Sequence, residues 1–291
     1  MKSSKRTTRK KTTARRKSKS ATTSKSVATK RVAPFIPSTI EVERLRTEIK
    51  PFTLHYFTRL NSTNDRAIEM RRDNKLYAPA IVLTPAQMAG RGRGTNKWWS
   101  RRGVLTITFA MPIDEQVPPN FVPLMAGLAV RDSVASMLPG HDIQLKWPND
   151  IYIDGKKLAG LLCERTDKVD LIGLGLNVNF RNNQVPDELQ HNIVSMSATA
   201  NSDFNMTDVI VVITRCLQLM FRHQNEMTFA QLLRRYDEHH ALIGRKIIVG
   251  EIGSESPIMG KCEGLDSSGR LLVRDRKVLH RIIAGHVRLA E

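Results

Sequence analysis

The sequence predicts a body of mixed helices and strands followed by a small β-barrel. Three observations carry this expectation. Helix-period and strand-period segments alternate from Ser38 to Leu138, and a β-rich run follows from Ile143 to Phe180. From Ala241 onward the chain breaks into short strands separated by glycine turns, the length and texture of an appended barrel. At 291 residues the chain suffices for one large or two modest domains with a real core.

Met1–Ala33 is mostly Lys, Arg, Ser, Thr and Ala, with no aromatic residue and no periodic apolar pattern. It cannot bury enough surface to offset chain entropy and is expected to be disordered. It lacks the apolar core of a secretory signal and the amphipathic face of a transit peptide. Pro34 and Pro37 bracket the entry into the body, and Ser38–Lys50 reads as a short helix capped by Ser38 or Thr39. Thr53–Thr58 alternates as a strand. Asn61-Ser62-Thr63-Asn64, all good capping types, announces a helix over Ser62–Asp73.

Pro79–Thr84 and Val104–Ala110 are β-branched strands on either side of a Gly/Arg-rich loop. Pro123–Leu138 is a helix with Leu124, Leu128, Ala135 and Leu138 on one face, stopped by Pro139-Gly140. Asp154-Gly155 marks a two-residue hairpin between Ile151–Ile153 and Lys156–Arg165. Met206–His223 and Thr228–His240 read as helices, the first with Ile210, Ile213, Leu217 and Met220 in register. The terminal strands are Ile247–Val249, Met259–Glu263, Arg270–Val273 and Val278–Ile283.

The formal net charge is +18, but 13 of the 46 Lys and Arg lie in residues 1–31, where there is no acid. The remainder balances at +5, so the basic excess belongs to the tail. Such a block is a solvated tail or makes weak contact with polyanions, the alternative being a specific nucleic-acid arm. No apolar run approaches the roughly 18 residues of a membrane helix, so a soluble protein without a membrane partner is expected. Cys163, Cys216 and Cys262 are far apart and lack paired spacing, which argues against a disulfide framework or zinc ribbon and suits a reducing cytoplasm. The histidines show no metal-ligand spacing, so no metal site built by the protein alone is expected.

Three segments carry chemistry. Gln87 to Gly94 interleaves glycines with Arg91 and Arg93, and Lys97-Trp98-Trp99 follows. Glycines let the backbone approach a ligand, and arginines offer forks for phosphate or carboxylate. A surface loop that merely touches polyanions is the other reading. Lys146-Trp147-Pro148-Asn149-Asp150 leads into the hairpin and Lys157-Leu158-Ala159-Gly160. Strand alternation places Lys157 with Ala159, Leu161 and Cys163, where it either snorkels or aims its charge into a pocket. In Leu171–Asn179, Ile172, Leu174, Leu176 and Val178 form a core face. Gly173, Gly175, Asn177 and Asn179 form the other, open to a flat ligand or to a closely packed helix. The three tryptophans all fall in the first two segments, which marks at least one as a pocket wall.

Ser62-Thr63-Asn64, Gln87 through Trp98, Lys146–Asp150, Lys157–Gly160 and Gly173–Asn177, in this order and at these distances, resemble the biotin–protein ligases without an N-terminal DNA-binding domain. The likeness runs from about Thr53 to the C-terminus. It implies an α/β (α+β) catalytic domain, with helices against a mixed sheet as in class II synthetases and biotin–lipoyl ligases, ahead of an SH3-like barrel. The implied boundaries are a tail over 1–34, a catalytic domain over 35–240 and a barrel over 241–291. The implied activity is ATP-dependent ligation of biotin, through biotinyl-5'-AMP, to one lysine of the biotin carboxyl carrier domain of acetyl-CoA carboxylase, in the cytoplasm.

Residue by residue, Lys157, Arg91 and Arg93 match the family's catalytic positions. The lysine stands between carboxylate and α-phosphate oxygens, and the arginines fold over the acyl-adenylate. Ser62, Thr63, Asn64, Gln87, Gly90, Gly160, Gly173 and Gly175, with Arg91 and Lys157, match biotin-binding positions. Arg91, Arg93, Trp98, Lys146, Asn149, Asp150 and Asn177 match the ATP and adenylate side, where Asp150 orients Lys146 or meets Mg²⁺ carried by the nucleotide. A homodimer through sheet edges is common in the family. The segment before the match is too short for the winged-helix repressor domain of some members, so no specific DNA binding is expected.

Two departures stand out. Gly94-Thr95-Asn96 replaces a further arginine and glycine, which implies weaker loop ordering and adenylate retention, and His286 follows Gly285 where many relatives carry an acid. The competing readings are a lipoate or octanoate ligase or transferase of the same fold, and a nucleic-acid-binding protein driven by its tail. The Gly-Arg-Gly-Arg loop favours biotin.

Overall fold

The computed structural model describes residues 39–222, 227–250 and 256–290. The tail expectation over Met1–Ala33, and the helix start at Ser38, lie outside them. The first helix, α1 (Val42–Glu48), begins later than its sequence suggests. Its N-cap, Glu41, makes no side-chain cap, and its amide donates instead to Thr207 Oγ1 at 2.9 Å. A tertiary partner has replaced the local cap.

After strand β1 (Thr53–Tyr56), Ser62 caps α2 (Thr63–Arg72) by accepting from the Asp65 amide at 3.3 Å. Strands β2 (Ala80–Thr84) and β3 (Val104–Pro112) flank the Gly/Arg loop, and α3 (Val122–Met137) follows. The first half of α3 is buried nearly all round, not on one stripe alone. It lies between the sheet and two later helices, α6 (Met206–Arg222) and α7 (Phe229–Glu238). Thr228 starts α7 with a capping box closed by Gln231.

Strands β4 (Ile143–Lys146), β5 (Asp150–Ile153), β6 (Lys156–Arg165) and β7 (Val169–Asn177) build the β-rich run. Asp154 and Gly155 both have positive φ, 51° and 73°, the backbone a tight primed turn demands. Two short helices, α4 (Asp187–Gln190) and α5 (Met196–Ala200), lie in a stretch without a clear sequence signal.

Seven strands form one mixed sheet in the order β1-β2-β3-β7-β6-β5-β4, parallel only between β1 and β2. One face, with Ile81, Ile107, Phe109, Ile172, Leu174 and Leu176, packs in the same core as α3 and α6. On the opposite face α2 covers Val82, Ala110 and Leu171 and leaves the next strand positions open. A second, antiparallel sheet comprises β8 (Lys246–Gly250), β9 (Ile258–Leu265), β10 (Leu271–Asp275), β11 (Val278–Ile282) and β12 (His286–Leu289), in the order β11-β10-β9-β8-β12. This fits the SH3-like module the resemblance implies, with β12 an addition that the sequence alone did not suggest.

The alternation expected for Lys157 does not hold. Ile151 pairs with Ala159 but Tyr152 pairs with Lys157, a register shift that inserts Leu158 as an extra, fully buried residue. The β-bulge turns Lys157 away from Ala159 and Leu161 and onto the face of Gly160. A Cβ added to Gly160 would lie 3.0 Å from Lys157 Nζ.

Candidate active site

Period-two alternation puts one row of residues on the open face. Thr108 faces Gly173 and Thr106 faces Gly175; Gly175 then pairs with Gly160, and Gly160 with Asp150. The row is short in side chain at its centre and polar at its ends, and from Thr106 and Gly173 to Asp150 it floors a cavity of about 550 Å³. Among the residues singled out from sequence, Ser62, Thr63, Asn64, Gln87, Arg91, Arg93, Trp98, Lys146, Asn149, Asp150, Lys157, Gly160, Gly173, Gly175 and Asn177 all line it. Gly90 does not. Its missing Cβ makes room for the Trp98 carbonyl and the Gln87 amide, so it supports the wall from behind.

At one end stands the start of α2. Gln87 Oε1 accepts from the Thr63 amide at 3.0 Å, one of the helix-terminal donors that have no intrahelical partner. Asn64 is 3% exposed and fixed at both ends of its amide. Its Oδ1 accepts from Thr108 Oγ1 at 2.6 Å, and its Nδ2 donates to the Leu162 carbonyl at 3.0 Å and to Glu164 Oε2 at 2.7 Å. Its carbonyl occupies the space over Gly173, and the Trp98 indole occupies that over Gly175. Protein side chains therefore fill the room that the glycine spacing left open to a flat ligand, while both glycines remain in the lining.

The Gly/Arg loop is a closed turn. The Gly92 amide donates to the Asn96 carbonyl at 2.8 Å, the Trp98 amide to the Gly90 carbonyl at 2.9 Å, and Gly94 takes φ +60°. Gly94-Thr95-Asn96, the departure from the family pattern, thus forms the tip of this turn. Arg93 is held at the Gly285 carbonyl, 3.5 Å away, and burial pulls its pKa below the ordinary value against the opposing pull of Asp150. Arg91 leaves by the other side of the loop, 2.6 Å from Asp65 Oδ1 and 3.0 Å from Glu164 Oε2.

Across the cavity, Lys157 Nζ lies 2.7 Å from Asp150 Oδ1 and 5.6 Å from the centre of the Trp98 ring. Its backbone is pinned by segment 192–194 and by one side chain of β7. The Lys157 amide donates to the Asn192 carbonyl at 2.8 Å, and the Lys157 carbonyl accepts from the Val194 amide at 3.1 Å and from Asn177 Nδ2 at 3.3 Å. Asn149 Nδ2 donates to the Leu161 carbonyl. Lys146 Nζ donates to the Tyr152 hydroxyl at 3.1 Å. Burial lowers the Lys146 pKa against the pull of Asp150; burial first, then Asp150, raises that of Tyr152. Asp150 faces Lys157 as its ion-pair partner, not Lys146.

The sequence singled out neither Thr106 and Tyr152, which line the cavity, nor Thr108 and Glu164, which fix the Asn64 amide, although the period-two rule applied to Val104–Ala110 flags the two threonines. It also missed the contribution of β12, whose His286, Arg288 and Leu289 line the same cavity. Among the described residues no group of three or more His, Cys, Asp or Glu could hold a metal ion, and no helix is long and apolar enough to cross a membrane.

Residues 56–180 match the profile of the Biotin/lipoate A/B protein ligase family. The chain is 30% identical over 255 residues to the bifunctional ligase/repressor BirA of Bacillus subtilis, covering 84% of this chain and 76% of that protein. It is 30% identical over 199 residues to the biotin–[acetyl-CoA-carboxylase] ligase of Mycobacterium tuberculosis, covering 66% and 71%. The fold superposes on a biotin protein ligase from Aquifex aeolicus solved in complex with biotin and ATP, with a TM-score of 0.72 and 24% identity over 82% of this chain and 99% of that one.

Proposed function

The chain belongs to the biotin–protein ligases, and from that premise we propose that it activates biotin with ATP and transfers it to a lysine of a biotin carboxyl carrier domain. The observation that carries this reading is the convergence on one cavity of Lys157, Arg93, Trp98 and the Thr63–Gln87 pair. In the first step a biotin carboxylate oxygen attacks the α-phosphorus of ATP. The bond to the bridging oxygen of the β-phosphate breaks, and pyrophosphate leaves. In the second, the neutral ε-amine of the carrier lysine attacks the acyl carbon. The bond to the phosphate oxygen breaks, AMP leaves with that electron pair, and the amine loses a proton.

Both steps build negative charge on oxygens, and a preplaced donor at such a position is worth on the order of 10²–10³ in rate. Lys157 is that donor, at the seam between carboxylate and α-phosphate. Asp150 and the Trp98 ring hold its ammonium in place. Ser62, Thr63 and Gln87 take the polar end of biotin, with Asn64 fixing the helix start they stand on. Arg93, Lys146, Asn149 and Asn177 take the nucleotide, and the loop from Gly90 to Trp98 keeps water from the mixed anhydride. Catalysis resides in 35–240, and the barrel over 241–291 closes the nucleotide side through Gly285 and β12. Mg²⁺ would arrive on the ATP phosphates and screen their charge. The carrier is that of a carboxylase such as acetyl-CoA carboxylase, and the setting is cytoplasmic.

The test mixes the protein with biotin, MgATP and a purified carrier domain and reads the carrier's mass. Addition of one biotinyl group is expected, and none with octanoate or lipoate in place of biotin. A mass gain with lipoate alone would move the protein to the other branch of its family.

A further inference from the structure

Arg91 is gripped from one end only. All three of its acidic contacts run through a single nitrogen, Nη2, which is 2.6 Å from Asp65 Oδ1 and 3.0 and 3.2 Å from the two Glu164 oxygens. Nε and Nη1 have no acidic partner among these contacts, and Arg91 lines the cavity. Glu164 faces two ways. One oxygen, Oε2, also accepts from Asn64 Nδ2 at 2.7 Å, and Asn64 is fixed in turn by Thr108 and the Leu162 carbonyl. The chain of contacts therefore runs from the buried start of α2, through one carboxylate on β6, to the loop that covers the site.

Stability does not explain this arrangement. The Arg91 and Glu164 side chains are 39% and 29% exposed, and ion pairs at that exposure contribute little to folding. A guanidinium anchored at one nitrogen is directed at the others, because its five donors lie in one rigid plane.

We propose that Glu164 is a positioning residue for the ligation. It ties the orientation of Arg91 to that of Asn64, so that the free edge of the guanidinium is presented to the acyl-adenylate and the loop stays seated. The inference deepens the proposed function and rests on it for the identity of the ligand. Glu164 itself touches no reacting atom.

Glu164→Gln is the discriminating variant, since its amide oxygen still accepts from Asn64 while the Glu164 charge is gone and only Asp65 of the two carboxylates on Arg91 remains. Two readouts apply. Preformed biotinyl-AMP is expected to leave Glu164→Gln about tenfold faster than wild type, in line with losing one charge-assisted hydrogen bond. In an Arg91→Ala background the same change should add nothing, which a general structural role for Glu164 would not produce. The second readout needs no ligand. Trypsin cuts after Arg91, Arg93 and Lys97, and loop cleavage should be several-fold faster in Glu164→Gln at unchanged Tm. Equal cleavage of the two proteins would overturn the anchoring role, and so would an equal acceleration of release in the Arg91→Ala background. A wild-type protein that binds no biotinyl-AMP would instead overturn the ligase reading, leaving the cleavage comparison to decide the role of Glu164.

Discussion

The Trp98 indole lies against Gly175, filling the space that any side chain at that position would need. The contact joins the covering loop to the middle of the sheet, and it exists because β7 alternates large apolar residues inward with glycines outward. A methyl group there would collide with Cε2, Cζ2 and Nε1 of the ring. Gly175→Ala should therefore expel Trp98 from the cavity wall. Overpacking of this kind costs about 1–3 kcal/mol, and displacement of a site residue by an ångström costs on the order of 10² in rate. A calorimetric Tm and a biotinyl-AMP formation assay measure the two. A variant with wild-type adenylation would show that the indole is not needed at Gly175.

Lys157→Ala should cut adenylation sharply while biotin still binds, because the end of the cavity proposed for biotin is built from Thr63, Gln87 and Asn64 at the opposite side. The expected loss in biotin-dependent pyrophosphate exchange is on the order of 10²–10³. Removing the lysine also leaves Asp150 without its partner, so Lys157→Ala with Asp150→Asn is the control for a bare buried carboxylate. Exchange near the wild-type rate in both variants would remove Lys157 from the chemistry.

Lys157 also marks where the sequence was legible and where it was not. Local pattern left its charge either snorkelling or aimed into a pocket, the resemblance chose the pocket, and the structure has Lys157 in the cavity lining. Its face was misread, because a bulge is a property of two paired strands and leaves no trace in the period of one. The face of Gly173, Gly175 and Asn177 was legible for the opposite reason: β7 is regular, and alternation alone sorts it. The capped start of α2 was legible from four consecutive residues. Segment 192–194, which pins the Lys157 backbone, and β12, which brings in His286 and Arg288, are short and contain no buried residue. Tertiary partners, not propensity, set their conformation, so neither showed a pattern.

The basic excess lies in residues 1–31, and the cavity carries its own cations. Deleting residues 1–33 should leave biotin-dependent AMP formation within about twofold, since the residues that line the cavity run from Ser62 to Leu289. The same deletion should abolish retention on DNA at low salt, which rests on Lys and Arg against phosphates. Loss of ligation together with DNA retention would tie the tail to catalysis.

Lys146 gives the activity a pH limit of defined sign. Its ammonium donates to the Tyr152 hydroxyl, and burial depresses its pKa below the ordinary lysine value of about 10.4 despite the opposing pull of Asp150. The cationic form therefore dominates below the depressed pKa and is lost as pH rises through it, earlier than for a surface lysine. Tyr152 shifts the other way, so its phenol stays protonated over this range and does not compensate for the lost charge. If Lys146 receives the phosphates, kcat/KM for ATP should fall with one inflection on the alkaline side, since that ratio reports the free enzyme. Lys146→Arg keeps a charge that does not titrate in this window, so the inflection should disappear even where the absolute rate drops. Profiles of kcat/KM for ATP from pH 7 to about 10 for both proteins measure this. An identical alkaline fall in Lys146→Arg would assign the titration to another group and take Lys146 off the nucleotide.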